Sequence, residues 1–197
     1  MTETLRERRR RLLSEEILEH ARLLIGAKGF GAFSMEALAT QIGISKPTLY
    51  SHFANKDELL LAAITQKMDQ MIAFVEDANA HGPLMRLQLA MTELLQRRVE
   101  AEGAAMRPWP ELMELMCKHP ESLERMRRMQ QGVTTLVVAG RADGTISTTL
   151  PVNAVVRSFF ALATSLNRHP ADPLEFEAID DGVDAIVTIF VRGIRSS

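Results

Sequence analysis

The sequence has few of the residues that build disulfide frameworks or membrane spans. It contains a single cysteine, Cys117, in 197 residues, which excludes an intrachain disulfide and is typical of a reducing compartment. No apolar run approaches the roughly 20 residues of a membrane span. The charged N-terminal stretch also lacks the apolar core of a signal peptide. We therefore expect a soluble cytoplasmic protein with no membrane partner.

Glycine and proline are also sparse, with 11 and 8 residues, and they cluster between stretches of helical periodicity. No stretch alternates apolar and polar residues for long enough to predict a sheet. The apolar fraction of 46% argues against disorder, and the length suffices for a sizeable core. The sequence thus predicts an all-α protein, of about nine helices by periodicity and punctuation.

The stretch from Ser34 to Glu58 carries the clearest motif of the chain. Ser34 is a candidate N-cap, Gly43 suits the left-handed backbone of a sharp turn, and Ser45 is placed to cap a second helix. Pro47 falls in the first turn of that helix, where a missing N–H is tolerated. Apolar residues recur at helical spacing on both sides of the turn: Met35, Leu38, Ala39, Ile42, Leu49 and Phe53. Together these residues predict a helix-turn-helix.

The second helix of this motif has an outward face that is polar, mildly basic and rich in hydroxyls. Its residues are Ser45, Lys46, Pro47, Thr48, Tyr50, Ser51 and His52. Such a helix can place its N-terminal residues against base edges in a major groove, while hydroxyls and backbone N–H groups hold phosphates. A helix-turn-helix can also be a mere packing unit, so a helical protein-interaction module remains the alternative.

The whole string from Ser34 to Leu60 resembles the signature of the TetR/AcrR family of bacterial transcriptional regulators. The matching residues are Leu38-Ala39, Ile42-Gly43-Ile44-Ser45, Thr48-Leu49-Tyr50, His52-Phe53 and Asn55-Lys56-Asp57-Glu58-Leu59-Leu60. Pro47 stands where many members have glycine, a difference that bears on which bases are read. The resemblance implies that Ser34, Tyr50, His52 and Lys56 hold the DNA backbone, and that Lys46, Pro47 and Thr48 lie where bases are read, beside Ser45.

The resemblance also implies two domains, a helix-turn-helix DNA-binding domain at residues 1–55 and an effector-binding and dimerisation domain at residues 56–197. Asn55 and Glu58 form a capping-box pattern that opens a long helix over residues 56–79, which connects the two domains or merely spaces them. Residues 1–60 carry nine Lys/Arg against eight Asp/Glu, and residues 61–197 carry fourteen against seventeen. A modest basic excess on one surface suffices for a DNA-binding dimer.

The N-terminal run from Arg6 to Arg11 has two interpretations. It is either a flexible arm that reaches phosphates or the frayed start of a helix. An apolar stripe follows it and predicts a first helix that ends at Lys28-Gly29, a cation followed by a glycine cap.

Methionine is concentrated in the middle of the chain, with nine of the eleven between Met68 and Met129. Flexible, polarizable methionines can reshape a cavity around apolar guests, although they also fill irregular cores. We expect a pocket for a small apolar or aromatic effector that lowers operator affinity. Its predicted lining is Met68, Met71, Met91, Trp109, Met113, Met116 and Phe160, with Arg86, Glu93 or His119 as a polar contact.

The last two predicted helices have apolar faces wider than one partner helix needs. Pairing them with their symmetry mates would give a four-helix homodimer interface. Its predicted residues are Val152, Val156, Phe159, Ala163, Ile179, Val183, Ile186 and Phe190. The alternative is that both helices cover their own core. A dimer would place two recognition helices on the half-sites of a palindromic double-stranded operator.

Patterns of enzyme chemistry are absent. Cys117 and His119 lie close in sequence, but neighbouring helical residues face different ways and no third partner follows from spacing. There is no phosphate-binding glycine loop, zinc-binding His pair or nucleophile elbow. We expect no enzyme, no metal and no cofactor. The sequence predicts a sequence-specific DNA-binding regulator, a repressor released by its effector, with an effector-independent DNA-binding protein as the alternative.

Overall fold

The computed structural model describes residues 3–77, 81–100, 110–163, 165 and 179–196, with side chains for all of these except 26–32, 97–100, 110–113 and 179–180. These residues form helices and no named strand. The helices are α1 (Leu5–Ala32), α2 (Met35–Ile42), α3 (Lys46–His52), α4 (Lys56–Glu76), α5 (Pro83–Glu100), α6 (Pro110–Lys118), α7 (Pro120–Ala142), α8 (Val152–Ala163) and α9 (Ile179–Ile194). The predicted all-α class is confirmed. In the part described, no helix has both the length and the apolar character needed to cross a membrane.

The chain divides into two compact units. The first consists of Met1–Lys67 and Ala101–Ser122, and the second of Met68–Glu100 and Leu123–Ser197. Residues of α4 therefore belong to both units. The capping-box pattern Asp172-Pro173-Leu174-Glu175 predicts the start of the last helix, and it lies outside the described residues.

The core of the first unit is built by α1 to α4. Each of these helices contributes at least one side chain with no exposed surface: Ile17, Leu38, Leu49, Leu59 and Leu60. Arg22 adds a polar link between α1 and α4, because its guanidinium donates to the Gln66 side chain at 2.9 Å and to the Ala63 carbonyl at 3.4 Å. The predicted packing of Leu49 and Phe53 against α2 is confirmed by this cluster.

Helix α1 includes the basic run, in agreement with one of its two interpretations, and ends later than predicted. It begins with a reciprocal capping box, in which the Glu7 carboxylate accepts from the Thr4 N–H at 2.8 Å and the Thr4 hydroxyl accepts from the Glu7 N–H at 3.2 Å. The Thr4 N–H and then the Thr4 hydroxyl, which donates to the same carboxylate at 2.7 Å, hold the pKa of Glu7 below its usual value. The basic run is thus helical, not an extended arm. The predicted end at Lys28-Gly29 is wrong, because Gly29 is helical and the helix continues to Ala32.

The core of the second unit joins α5, α7, α8 and α9. Leu87, Met91 and Leu95 of α5 are fully buried with Val133 and Val137 of α7. The Phe159 ring of α8 stacks edge-to-face on Phe190 of α9, with centroids 5.7 Å apart, and on Phe160 at 5.3 Å. Two ion pairs also join α7 to the second-unit residues of α4: Arg125 with Asp69 at 2.8 Å and Arg128 with Glu76 at 2.7 Å.

The loop after α7 is held against the end of α9. Ser147 donates its N–H to the Ile194 carbonyl at 2.8 Å, and Ser196 donates to the Thr145 carbonyl at 3.2 Å. Between these bonds Ile146 is fully buried. It lies so close to Gly140 of α7 that a Cβ there would be 2.5 Å from the Ile146 Cδ1 and 2.7 Å from its Cγ1.

We predict that Gly140→Ala destabilises the protein by overpacking this contact. The free energy of unfolding in urea should fall by about 1–3 kcal/mol, since a buried Ile has little room to move. In an Ile146→Ala background the same substitution should cost clearly less, because both of the close carbon atoms are gone. An equal cost in the two backgrounds would show that the contact with Ile146 is not the cause.

Candidate nucleic-acid interface

The turn between α2 and α3 is closed by backbone hydrogen bonds around one glycine. Gly43 has φ of 80°, and its N–H donates to the Thr40 carbonyl at 3.3 Å, while the Ile44 N–H donates to the Ala39 carbonyl at 3.0 Å. This pattern ends a helix in a left-handed residue, a conformation that glycine adopts without a Cβ penalty. At the other end of α2 the Ser34 hydroxyl oxygen accepts from the Ala37 N–H at 3.1 Å. The predicted cap and turn are both confirmed.

Helix α3 is capped at its start and anchored at its middle. The Ser45 oxygen accepts from the Thr48 N–H at 3.1 Å, and the two hydroxyls lie 2.7 Å apart. Pro47 occupies the first turn, as predicted. Leu49 is fully buried, whereas the Tyr50 ring remains 47% exposed. The cap and the buried leucine therefore fix the helix with its polar face open to solvent.

The end of α3 is held by two residues of α1 that the sequence reasoning missed. Arg10 donates from its guanidinium to the Ser51 carbonyl at 3.2 Å. The Ser14 hydroxyl lies 2.7 Å from Nδ1 of His52. Burial, followed by the nearby charge of Arg10, holds the pKa of His52 below its usual value, so the imidazole is neutral at neutral pH. Arg10 and Ser14 are about 40 positions from their partners in the sequence, so a local periodicity could not predict these contacts.

The two lysines of the predicted site have partners within the first unit. The Lys46 ammonium contacts the carboxylate of Glu36 on α2, an exposed pair. The Lys56 ammonium lies over the Phe33 ring, 5.5 Å from its centroid. Each of the two ammonium groups therefore has a partner within the protein in addition to solvent. Glu36 is a further residue that spacing did not reveal.

The start of α4 has the predicted capping box in a slightly different form. The Asn55 side chain accepts from the Glu58 N–H at 2.8 Å, and the Glu58 carboxylate accepts from the Ala54 N–H at 2.8 Å. Of the eight predicted DNA-binding residues, the structure places six on α3 or its cap: Ser45, Lys46, Pro47, Thr48, Tyr50 and His52. Ser34 caps α2, and Lys56 begins α4.

A family model described as bacterial regulatory proteins, tetR family, matches residues 17–63, which include all of α2 and α3 and the turn between them. Residues 17–63 are a tetR-family regulatory domain. The sequence resemblance is therefore confirmed, on the part of the chain that carries the motif. Within this tetR domain lie all eight predicted DNA-binding residues.

Relatives and solved structures with similar folds are transcriptional regulators. The transcriptional activator FasR of Mycolicibacterium smegmatis is 39% identical over 51 residues, 26% of this chain and 23% of FasR. The ketosteroid regulator KstR2 of Mycobacterium tuberculosis has a TM-score of 0.72 at 21% identity, covering 94% of this chain and 96% of that one. FadR of Bacillus subtilis, in complex with stearoyl-CoA, has a TM-score of 0.66 at 17% identity, covering 92% and 99%.

The sequence matches and the structural matches cover different parts of the chain. The chain spans less than half the length of the curated relatives it matches. The structural likenesses extend over more than nine-tenths of the chain but show the fold alone. Within the described residues, no group of three or more His, Cys, Asp and Glu is arranged to hold a metal.

The structure describes only some of the predicted effector residues, and their common lining stays a prediction. Met71 and Met91 are buried in the second-unit core, with Phe160 packed against it, and Met68 is half-buried. Met116 is buried but belongs to the first unit. Trp109 and the Met113 side chain lie outside the described residues. Of the polar candidates, Arg86 donates to the Val75 carbonyl, and His119 is exposed.

A cleft of about 920 Å³ lies elsewhere in the second unit, between α7 and α8. Its lining residues are Gln130, Thr134, Val152, Asn153, Val156, Arg157 and Phe160. Of the predicted effector residues whose side chains are described, only Phe160 lines it. Its volume is within the range of small-molecule sites, about 300–1,000 Å³. Its lining combines the apolar side chains of Val152, Val156 and Phe160 with the cationic side chain of Arg157.

Most of the predicted dimer residues are buried in their own protomer. Val156, Phe159, Ala163, Val183, Ile186 and Phe190 are all buried within the second unit, Val152 is half-buried, and the Ile179 side chain is not described. Side chains buried this deeply offer another copy almost no surface. The exposed positions of the two helices are different residues, among them Ala154, Arg157 and Ser158 on α8 and Asp184, Ala185 and Ile189 on α9.

We predict that Ser45→Ala lowers the free energy of unfolding by about 1 kcal/mol, because the Thr48 N–H loses its acceptor. Ser51→Ala is the matched control. The Ser51 hydroxyl only donates to the Thr48 carbonyl, at 2.7 Å, so its loss should cost less than about 0.5 kcal/mol. Urea unfolding of the full chain measures both, and equal losses would argue against the capping role of Ser45.

Proposed function

We propose that the protein is a sequence-specific DNA-binding transcriptional regulator that inserts α3 into the major groove. The observation that carries this proposal is a capped, seven-residue helix with an open polar face inside a tetR domain. Lys46, Pro47 and Thr48 lie in its first turn, where the N-terminal residues of a recognition helix meet base edges. Pro47 would offer an apolar contact to a thymine methyl.

The backbone contacts in this proposal come from Ser34, Tyr50, His52 and Lys56. Ser34 accepts from the Ala37 N–H, which leaves the hydroxyl proton of Ser34 able to donate to a phosphate. The exposed Tyr50 can donate in the same way. Lys46 must exchange its contact with Glu36 for DNA, and since exposed ion pairs are worth only about 0–1 kcal/mol, that exchange is cheap.

We further propose a homodimer on a palindromic operator, with residues 1–55 as the DNA-binding part and 56–197 as the effector and dimerisation part. One α3 spans few base pairs, and a second copy doubles the sequence that is read. In this proposal the partner contacts exposed residues of α9 and the exposed α8 positions outside the cleft, such as Ala154. Ile189 supports this choice, because it is a large apolar side chain 64% exposed on α9.

The effector site we propose is the cleft between α7 and α8. Val152, Val156 and Phe160 supply an apolar surface, and Arg157 and Asn153 supply polar contacts. FadR, which shares the fold, is solved with stearoyl-CoA, and this supports an apolar ligand in such a domain. Helix α4 has residues in both units and is the element through which ligand binding would lower operator affinity, as in a repressor released by its effector.

We predict different effects of Lys46→Ala and Tyr50→Phe on DNA selected from a random pool by the wild-type protein. Lys46→Ala should weaken binding to the selected site by about tenfold more than to scrambled DNA, since a base contact is lost. Tyr50→Phe should weaken both by a similar factor, because phosphate contacts carry no sequence information.

Gel-shift titration at several salt concentrations measures these effects, and wild-type affinity should fall steeply as salt rises. A Tyr50→Phe variant with altered sequence preference would contradict the division of roles. If the natively folded wild type showed no salt-sensitive DNA binding, the proposed function would be overturned and a protein-interaction module would be favoured.

For the effector we predict that a stearoyl-CoA probe releases the protein from the selected operator. Arg157→Ala should weaken the probe's binding by about tenfold, as expected for a lost charged hydrogen bond, and leave operator affinity unchanged. Arg127→Ala is the control. Like Arg157, Arg127 is an exposed arginine, but it lies on α7 outside the cleft. Calorimetry and gel shifts measure the two affinities. Tight probe binding without any change in operator affinity would contradict the coupling.

A further inference from the structure

The direction of the hydrogen bond between Ser14 and His52 depends on the tautomer of the imidazole. The Ser14 oxygen and Nδ1 of His52 are 2.7 Å apart, and both side chains are half-buried. Either the hydroxyl donates to a bare Nδ1, or Nδ1 carries a hydrogen and donates to the hydroxyl. The first arrangement puts the imidazole hydrogen on Nε2, and the second puts it on Nδ1.

Several other helical hydroxyls in this protein donate to the carbonyl four residues earlier. Thr40 donates to Glu36 at 3.0 Å, Thr65 to Leu61 at 2.7 Å and Thr134 to Gln130 at 2.8 Å. The Ser14 hydroxyl instead has Nδ1 of His52 as its partner within the described residues, which favours the hydroxyl as the donor. With the hydroxyl as donor, the hydrogen of a neutral imidazole is on Nε2.

A second contact keeps the ring in this position. Arg10, one turn before Ser14 on α1, donates to the carbonyl of Ser51, the residue next to His52. The burial of the ring and the charge of Arg10 both lower the pKa of His52, so the ring stays neutral and keeps one hydrogen. A neutral ring has one donor nitrogen and one acceptor nitrogen. The direction of the bond with Ser14 determines which nitrogen is the donor.

We propose that Ser14 is a positioning residue that holds His52 in the Nε2–H tautomer, so that the ring offers a neutral hydrogen-bond donor to the DNA backbone. The DNA part of this inference rests on the proposed function. In the opposite tautomer Nε2 would have a lone pair, which repels a phosphate oxygen. The tautomer thus decides between attraction and repulsion at the same atom.

The first test reads the tautomer in the free full-length protein. Long-range ¹H–¹⁵N correlation spectra, recorded where the ring is neutral, should show the Nε2–H pattern for His52 in the wild type. Ser14→Ala should give a mixture of tautomers, and Ser14→Thr, which keeps a hydroxyl, should restore the wild-type pattern. Backbone amide spectra verify that each variant is folded.

The second test measures DNA affinity in the same variants. Ser14→Ala should weaken binding by about 3- to 10-fold on selected and scrambled DNA alike, the effect of one hydrogen bond to the backbone. In a His52→Gln background, where an amide supplies the donor and no tautomer exists, Ser14→Ala should have no further effect.

An Nδ1–H pattern in the wild type, or a pattern unchanged by Ser14→Ala, would overturn the inference. So would a loss of affinity on Ser14→Ala that is equal in the wild-type and His52→Gln backgrounds, since Ser14 would then act only through the packing of α1. If the wild type bound no DNA at all, the proposed function would fail, and the spectra would still decide whether Ser14 sets the tautomer.

Discussion

The burial of Leu49 is the constraint on which the proposed DNA-binding surface depends. Helix α3 has only seven residues, and an isolated helix of that length is unstable in water. It exists because Leu49 is fully enclosed by the first-unit core and because Ser45 caps its first turn. Both devices act on the inner side and the start of the helix. The outer side contributes no buried side chain to this core and is open to solvent.

The polar residues of this surface already have partners within the protein. Lys46 contacts Glu36, the hydroxyls of Ser45 and Thr48 pair, and His52 is bonded to Ser14. Such contacts restrict side-chain rotamers before a ligand arrives, so less conformational entropy is lost on binding. In the proposed DNA complex the exposed ion pair adds a small cost for every DNA sequence, whereas the bond to Ser14 would leave Nε2 of His52 as the donor.

The second unit shows which helices pack against the apolar stripes of α8 and α9 within one protomer. The wide stripes of α8 and α9 predicted a partner helix, yet Phe159 and Phe190 stack on each other in one protomer. A wide apolar face indicates only that much surface must be covered, and the protein's own helices α5 and α7 cover it here. Met71 and Met91 belong to this core as well, and the cleft is lined by residues of α7 and α8.

The sequence by itself determined the elements whose signals are local: the caps at Ser34, Ser45 and Asn55, the left-handed Gly43, and the all-α class. Each depends on residues within a few positions, where spacing fixes geometry. The tertiary structure alone decided the contacts of Ser14, Arg10 and Glu36 and the partners of each apolar stripe. These contacts depend on which helix faces pack together. A period of 3.6 residues shows which face of a helix is apolar, but it does not show which other helix covers that face.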